Sequence, residues 1–169
     1  AWANAVREVE THSRIGEQVA HDLCIRAMGV TARLLAALTP QYALQTCWER
    51  LRIWTHAPNE ESDTQVFDVA KFLEDVEPQS PGLVLPHDWS ATSDSIAARV
   101  AHLLEAAELI LLKSALLANE ISMHQAAAEG YVDGFFPLAA RELTRVRCVN
   151  LRDREFRETI WECETRLAD

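Results

Sequence analysis

The chain has 169 residues, 49% of them hydrophobic and 25% charged, with a formal net charge of −10. These values describe one globular domain over residues 1–169, long enough to bury a core. The acidic balance disfavours non-specific nucleic-acid binding, which needs clustered Lys and Arg against phosphate. No apolar run is long enough to span a bilayer as a helix and no cleavable leader is read at the start, so the expectation is a cytoplasmic protein with no membrane partner.

In chain order, residues 2–11 read as a helix with Trp2, Val6 and Val9 on one face. Residues 17–38 read as a long helix whose stripe is Val19, Leu23, Ala27, Val30 and Leu34, ended by Thr39-Pro40. A short strand is expected over 42–45, and a short helix over 47–54 carries Trp48, Leu51 and Trp54. Residues 56–64 form a polar loop. A strand at 65–69, a turn or two of helix at 70–76, a turn at 78–82 and a buried strand at 82–85 follow.

The densest polar cluster is the turn at 89–95, which feeds a helix over 95–106 and then a strand over 108–113. A helix over 121–129 is stopped by Gly130, and Pro137 opens a helix over 137–143. A strand at 146–149 and a mostly helical tail over 153–165 complete the chain. Helices alternate with short apolar runs, so the fold class is α/β with a mostly parallel sheet. In such sheets ligands bind outside the carboxyl ends of the strands, here the turns after Leu85, Leu112 and Val149.

Candidate chemistry is sparse. Asp94, among Thr92, Ser93 and Ser95, stands at a helix start. The turn reads either as a ligand site offering hydroxyls, N–H groups and a carboxylate, or as ordinary capping by Thr92, Ser93 or Asp94. Lys113 and Ser114 at a strand end read as a phosphate holder or as a solvated terminus. His21 and Cys24 lie one turn apart, a spacing used in metal sites, but no second pair accompanies them and a packed helix face is the simpler reading. No metal ligands are therefore assigned. His87 is of interest because it adjoins the turn at 89–95. Cys24, Cys47, Cys148 and Cys163 include no C-x-x-C pair, and Cys24 and Cys148 read as buried thiols. The arginines at 141, 145, 147, 152, 154 and 157 are interleaved with acidic residues and read as a solvated face, with a local anion site as the alternative. No Walker A, G-x-S-x-G or G-x-G-x-x-G motif is present, and the chain holds only five glycines.

The stretch WSATSDSIAARVAHLLEAAELILLK at 89–113 resembles the nucleotide-side motif of the amino acid kinase superfamily. So, in order, do WANAVREVE at 2–10, AHDLCIRAMGVTARLLAAL at 20–38 and YVDGFFPLAARELTRVRCVNLRD at 131–153. The set is most similar to the branch around the archaeal aminomethylfuran phosphate kinase and its bacterial relatives. The resemblance implies a three-layer α-β-α sandwich, N-terminally incomplete because the first β-α-β segment, with its K-x-G-G-S turn and glycine loop, has no counterpart. It also implies an ATP- and Mg²⁺-dependent small-molecule phosphotransferase, with one-carbon, methanofuran-like coenzyme biosynthesis as the setting, and a homodimer.

By that resemblance Asp94 is the catalytic organiser and Lys113 and Ser114 stand at the nucleotide site. His21, Arg26, Trp89, Ser90, Thr92 and Ser93 would line the acceptor pocket. The sequence departs from the family where a threonine-aspartate step becomes Lys113-Ser114 and a proline-lysine step becomes Pro137-Leu138. A non-catalytic metabolite- or anion-binding protein on the same fold is the alternative. An assembly subunit using its apolar helices and tryptophans is a third reading. The start at Ala1 reads as processing or as a fragment, and the absent segment is expected to leave one side of the sheet uncovered.

Overall fold

A computed structural model describes residues 2–56, 64–117 and 121–163. The chain is mixed α/β and divides into two compact units, Ala1–Asp88 and Trp89–Asp169. No helix among the described residues is long and apolar enough to cross a membrane.

The first unit runs α1 (Trp2–Ser13), α2 (Glu17–Leu38), β1 (Ala43–Gln45), α3 (Trp48–His56), β2 (Gln65–Phe67) and α4 (Ala70–Asp75), then a 3-10 turn at Glu77–Gln79. Strands β1 and β2 pair in parallel, with Leu44 opposite Val66. Most of the polar loop expected at 56–64 lies outside the described residues. The aromatic core of this unit is Trp48 against Phe72, ring centroids 4.5 Å apart, with Phe67 beside both. Aromatic pairs at such offsets add to the burial of their apolar area.

The stripe Val19, Leu23, Val30 and Leu34 on α2 is exposed, at 43–56%, and the buried positions are Ala20, His21 and Gly29. The periodicity was real, but packing selected the narrow side of the helix. A Cβ at Gly29 would lie 2.8 Å from Asp68 Oδ1. Asp68 is held there because it accepts the Ala70 N–H at 3.2 Å and pairs with Arg33 at 3.2 Å. The approach of α2 to this loop therefore favours a glycine, since any Cβ would displace the Asp68 carboxylate from these partners. Likewise α1 has no buried residue, and Trp2 is exposed. The strand expected at 82–85 does not form. Leu85 is buried, but its N–H is given to the carboxylate of Glu77 at 3.0 Å, a side-chain acceptor in place of a neighbouring strand.

The second unit runs α5 (Ser93–Leu103), β3 (Leu109–Lys113), α6 (Met123–Ala128), α7 (Phe136–Ala139), β4 (Arg145–Asn150) and β5 (Glu158–Glu162). The sheet order is β3-β4-β5; β3 and β4 are parallel and β4 and β5 antiparallel. On β3, Leu109 and Leu111 turn inward, toward a core that includes Ile96, Phe136, Val146 and Cys148, while Ile110 and Leu112 are exposed. Helix α6 opens with a capping box between Ser122 and Gln125 and is followed by Gly130 at φ +72°, the stop that the sequence indicates. Pro137 lies in the first turn of α7.

The tail is the main correction. Instead of continuing as helix, residues 158–162 form β5, with Trp161 buried opposite Val146 and its indole N–H given to the Ile121 carbonyl at 2.8 Å. Thr159, Ile160 and Trp161 are strand formers by shape. The free edge of β4 offers them a ladder that a helix could not use.

Candidate functional site

The site lies in the second unit, at the carboxyl end of β3 and the start of α5. Lys113 is the last residue of β3, in register with Asn150 of β4. Its Nζ donates to Asp94 Oδ2 at 2.7 Å and to the Tyr131 carbonyl at 2.8 Å. The ammonium also stands 5.2 Å from the centre of the Tyr131 ring, within reach of a cation–π contact. Both charged side chains are only 16% exposed. Lys113 is thus neither solvated nor aimed at open space, and two of its three donors are committed.

Local structure sets each member. Asp94 is in the first turn of α5. Tyr131 is placed by the stop of α6, where its N–H returns to the Ala126 carbonyl at 2.9 Å. Sequence reasoning singled out Asp94 and Lys113 separately, and the fold joins them as a pair.

The cap of α5 is supplied from a distance. Thr92 occupies the N-cap position, but its side chain accepts nothing from the helix. Asp133 takes that role, accepting the N–H of Thr92 at 2.9 Å and of Ser95 at 3.0 Å, both on Oδ2. The Thr92 hydroxyl donates to the same oxygen at 3.0 Å, and the Ser95 hydroxyl donates to Oδ1. A carboxylate at a helix N-terminus is stabilised by the helix dipole and by charge-assisted hydrogen bonds. Asp133 was not singled out from the sequence. Its only signal is an acidic residue in the Asp133-Gly134 turn, 41 residues from Thr92 in the chain. The capping expected from Thr92, Ser93 or Asp94 is thereby corrected, and the Thr92 and Ser95 N–H groups are already bound to a carboxylate.

The remaining expected site residues fall as follows. Ser93 and Ser114 are exposed, Trp89 is half-buried, and exposed Ser90 accepts the Phe135 N–H on its carbonyl at 2.9 Å. His21 and Arg26 belong to the first unit. Arg26 is exposed and faces Glu74 at 3.7 Å. His21 is buried, with its ring 6.2 Å from that of His87. Of the turns expected on the ligand edge, those after Leu112 and Val149 follow strands and the one after Leu85 does not.

The arginine-rich region resolves into ion pairs. Arg145 and Arg147 both engage Glu108, and Arg157 engages Asp153. Beyond β4, a shallow depression is lined by Asn150, Arg152, Asp153, Arg154, Glu155 and Arg157, basic and acidic groups together.

All four cysteines are free thiols; Cys148 is buried and Cys24, expected to be buried, is half-buried. Burial pushes the Cys148 thiol up to about 11, against a downward pull from Lys113 and a smaller upward push from Asp94. Burial, with Cys148 and Asp94 adding to it, pushes the Tyr131 hydroxyl up to about 12. Both groups are neutral when protonated, so as pH rises the unfolded chain releases these protons first. Stability is then unaffected below the ordinary Cys value of 9.0 and falls as pH rises from there to about 11. Denaturant midpoints measured across that window are expected to decline in the natural chain. The decline is expected to be shallower in Cys148→Ala, and equal slopes in the two proteins would refute the assignment.

The residues fit ATP and Mg²⁺ only in part. Lys113 retains one N–H for a phosphate oxygen, but the α5 N-terminus is committed to Asp133, and no three metal-binding side chains cluster here among the described residues. No known protein-family model matches the chain, and no curated protein sequence matches it.

Proposed function

We propose that the chain is a small-molecule phosphotransferase built on an amino acid kinase-like, three-layer sandwich that is incomplete at its N-terminus. The observation that carries this reading is the shielded Lys113–Asp94 pair at the carboxyl end of a parallel strand. Phosphoryl transfer is mainly a matter of position and charge. Lys113 would direct its remaining N–H at a phosphate oxygen, and Asp94 would hold the ammonium in place. ATP would supply the phosphoryl group. The acceptor would be a small metabolite, with one-carbon coenzyme biosynthesis as the proposed setting and the cytoplasm as the proposed location. Exposed Ile110 and Leu112 are residues that an added layer would cover, and the exposed stripe on α2 supports a homodimer.

A second reading is a non-catalytic metabolite- or anion-binding protein. It is favoured by the neutralisation of Lys113 by Asp94 and by the occupation of the α5 N-terminus by Asp133. Calorimetry with ATP–Mg²⁺, followed by a phosphate-release assay against small alcohols, amines and phosphate esters, separates the two. Binding with turnover supports the phosphotransferase, and binding without turnover supports the second reading. No binding of nucleotide or phosphate ester refutes both.

A further inference from the structure

Within the first unit, away from the Lys113–Asp94 pair in sequence and in unit, His21, Asp22 and His87 present ligand atoms that all lie within 4.8 Å of one another. His21 and Asp22 are adjacent in the first turns of α2, where neighbouring side chains ordinarily diverge by about 100°. Here a ligand atom of each nonetheless lies within 4.8 Å of the other and of His87, which follows Pro86. The His21 and His87 rings are tilted at 56° with centroids 6.2 Å apart, and Asp22 Oδ1 is 3.9 Å from His87 Nδ1.

We infer that these three side chains bind a divalent first-row transition metal ion. Two imidazoles and one carboxylate are the donor set that suits Zn²⁺, Co²⁺, Ni²⁺ or Fe²⁺, whereas Mg²⁺ and Ca²⁺ take oxygen ligands. Metal–ligand bonds of about 2.0–2.2 Å hold donor atoms roughly 3–4 Å apart, so the observed spread closes with modest side-chain rotation. The members able to rotate are the right ones: Asp22 and His87 are 51% and 44% exposed, while His21 is fixed at 5%. One rigid imidazole and two adjustable arms form a site open to solvent on one side, where water or a substrate atom completes the coordination. The carboxylate lowers the net charge of the bound ion and distinguishes this cluster from a chance contact of two histidines. The inference does not depend on the phosphotransferase reading.

The test uses the tag-free chain titrated with Co²⁺, read by its visible d–d absorption, and with Zn²⁺, read by the thermal unfolding midpoint. One equivalent of Co²⁺ is expected to give a saturable spectrum and Zn²⁺ to raise the midpoint. His87→Ala and Asp22→Ala are expected to weaken Co²⁺ binding by about tenfold or more each, and to abolish most of the Zn²⁺ shift. Both positions are exposed, so circular dichroism should confirm that the variants fold. His124→Ala, on another helix, should bind as the natural chain does. Absence of a Co²⁺ spectrum, or a spectrum unchanged in both His87→Ala and Asp22→Ala, would overturn the inference.

Discussion

Replacing Lys113 by methionine is expected to destabilise the chain by about 2–4 kcal/mol, because removing one partner leaves the other charge shielded from water without its counter-ion. Methionine matches the length and shape of the lysine stem, so the loss reports charge rather than volume. Asp94, at 16% side-chain exposure, would retain its place in the first turn of α5 and lose its 2.7 Å contact. The Tyr131 carbonyl would lose a donor at the same time. Asp94→Asn alone should cost less, since an amide oxygen can still accept from Lys113. The combined variant Asp94→Asn/Lys113→Met should be less destabilised than the sum of the two single changes. A double-mutant cycle from urea denaturation measures that difference. Additive effects would show that the two charges do not act as a unit, and the proposed site would lose its organising pair.

Asp133→Ala is expected to cost about 2–4 kcal/mol, combining the loss of a helix cap with the loss of hydrogen bonds to a charged acceptor. Four donors lose their acceptor: the Thr92 and Ser95 N–H groups and both hydroxyls. Ser95 is fully buried, so its hydroxyl has no water to turn to. Because α5 carries Asp94, the change is also expected to loosen the Lys113 contact. Hydrogen exchange localises the effect. Faster exchange should begin at the N-terminal turn of α5 while the capping-box turn of α6 keeps its protection. An Asp133→Asn variant should recover part of the stability by retaining one acceptor oxygen. A variant as stable as the natural chain, with unchanged exchange in α5, would refute the cap.

Much of this architecture is legible in the sequence. The bounds of α2 coincide with the periodic segment 17–38; the strand runs at 42–45, 65–69 and 108–113 each contain an observed strand, and the run at 146–149 lies within β4. Gly130 and Pro137 act as expected, one stopping a helix and the other opening one, because their backbone constraints are local. Asp94 and Lys113 stand out as a carboxylate at a helix start and a lysine at a strand end.

What sequence did not decide is whatever depends on a distant partner. A 22-residue helix with apolar residues on its wide side does not announce that Gly29 and Ala20 will face the core. At Gly29 the close neighbour is the carboxylate of Asp68, distant in the chain, and a Cβ there would force one of the two to shift. The tail pairs as β5 along an edge of β4, and at 82–85 the Leu85 N–H is given to Glu77 and to no strand. By itself the sequence determined most of the helices and strands as far as β4, the stop of α6 at Gly130, and the two charged residues of the candidate site, since periodicity, Gly and Pro act over a few residues. Only the tertiary structure decided that Lys113 meets Asp94, that Asp133 caps α5, and that His87 joins His21 and Asp22. Each of these contacts spans a chain separation over which no local preference operates, and each is set by which backbone and side-chain groups folding leaves facing one another.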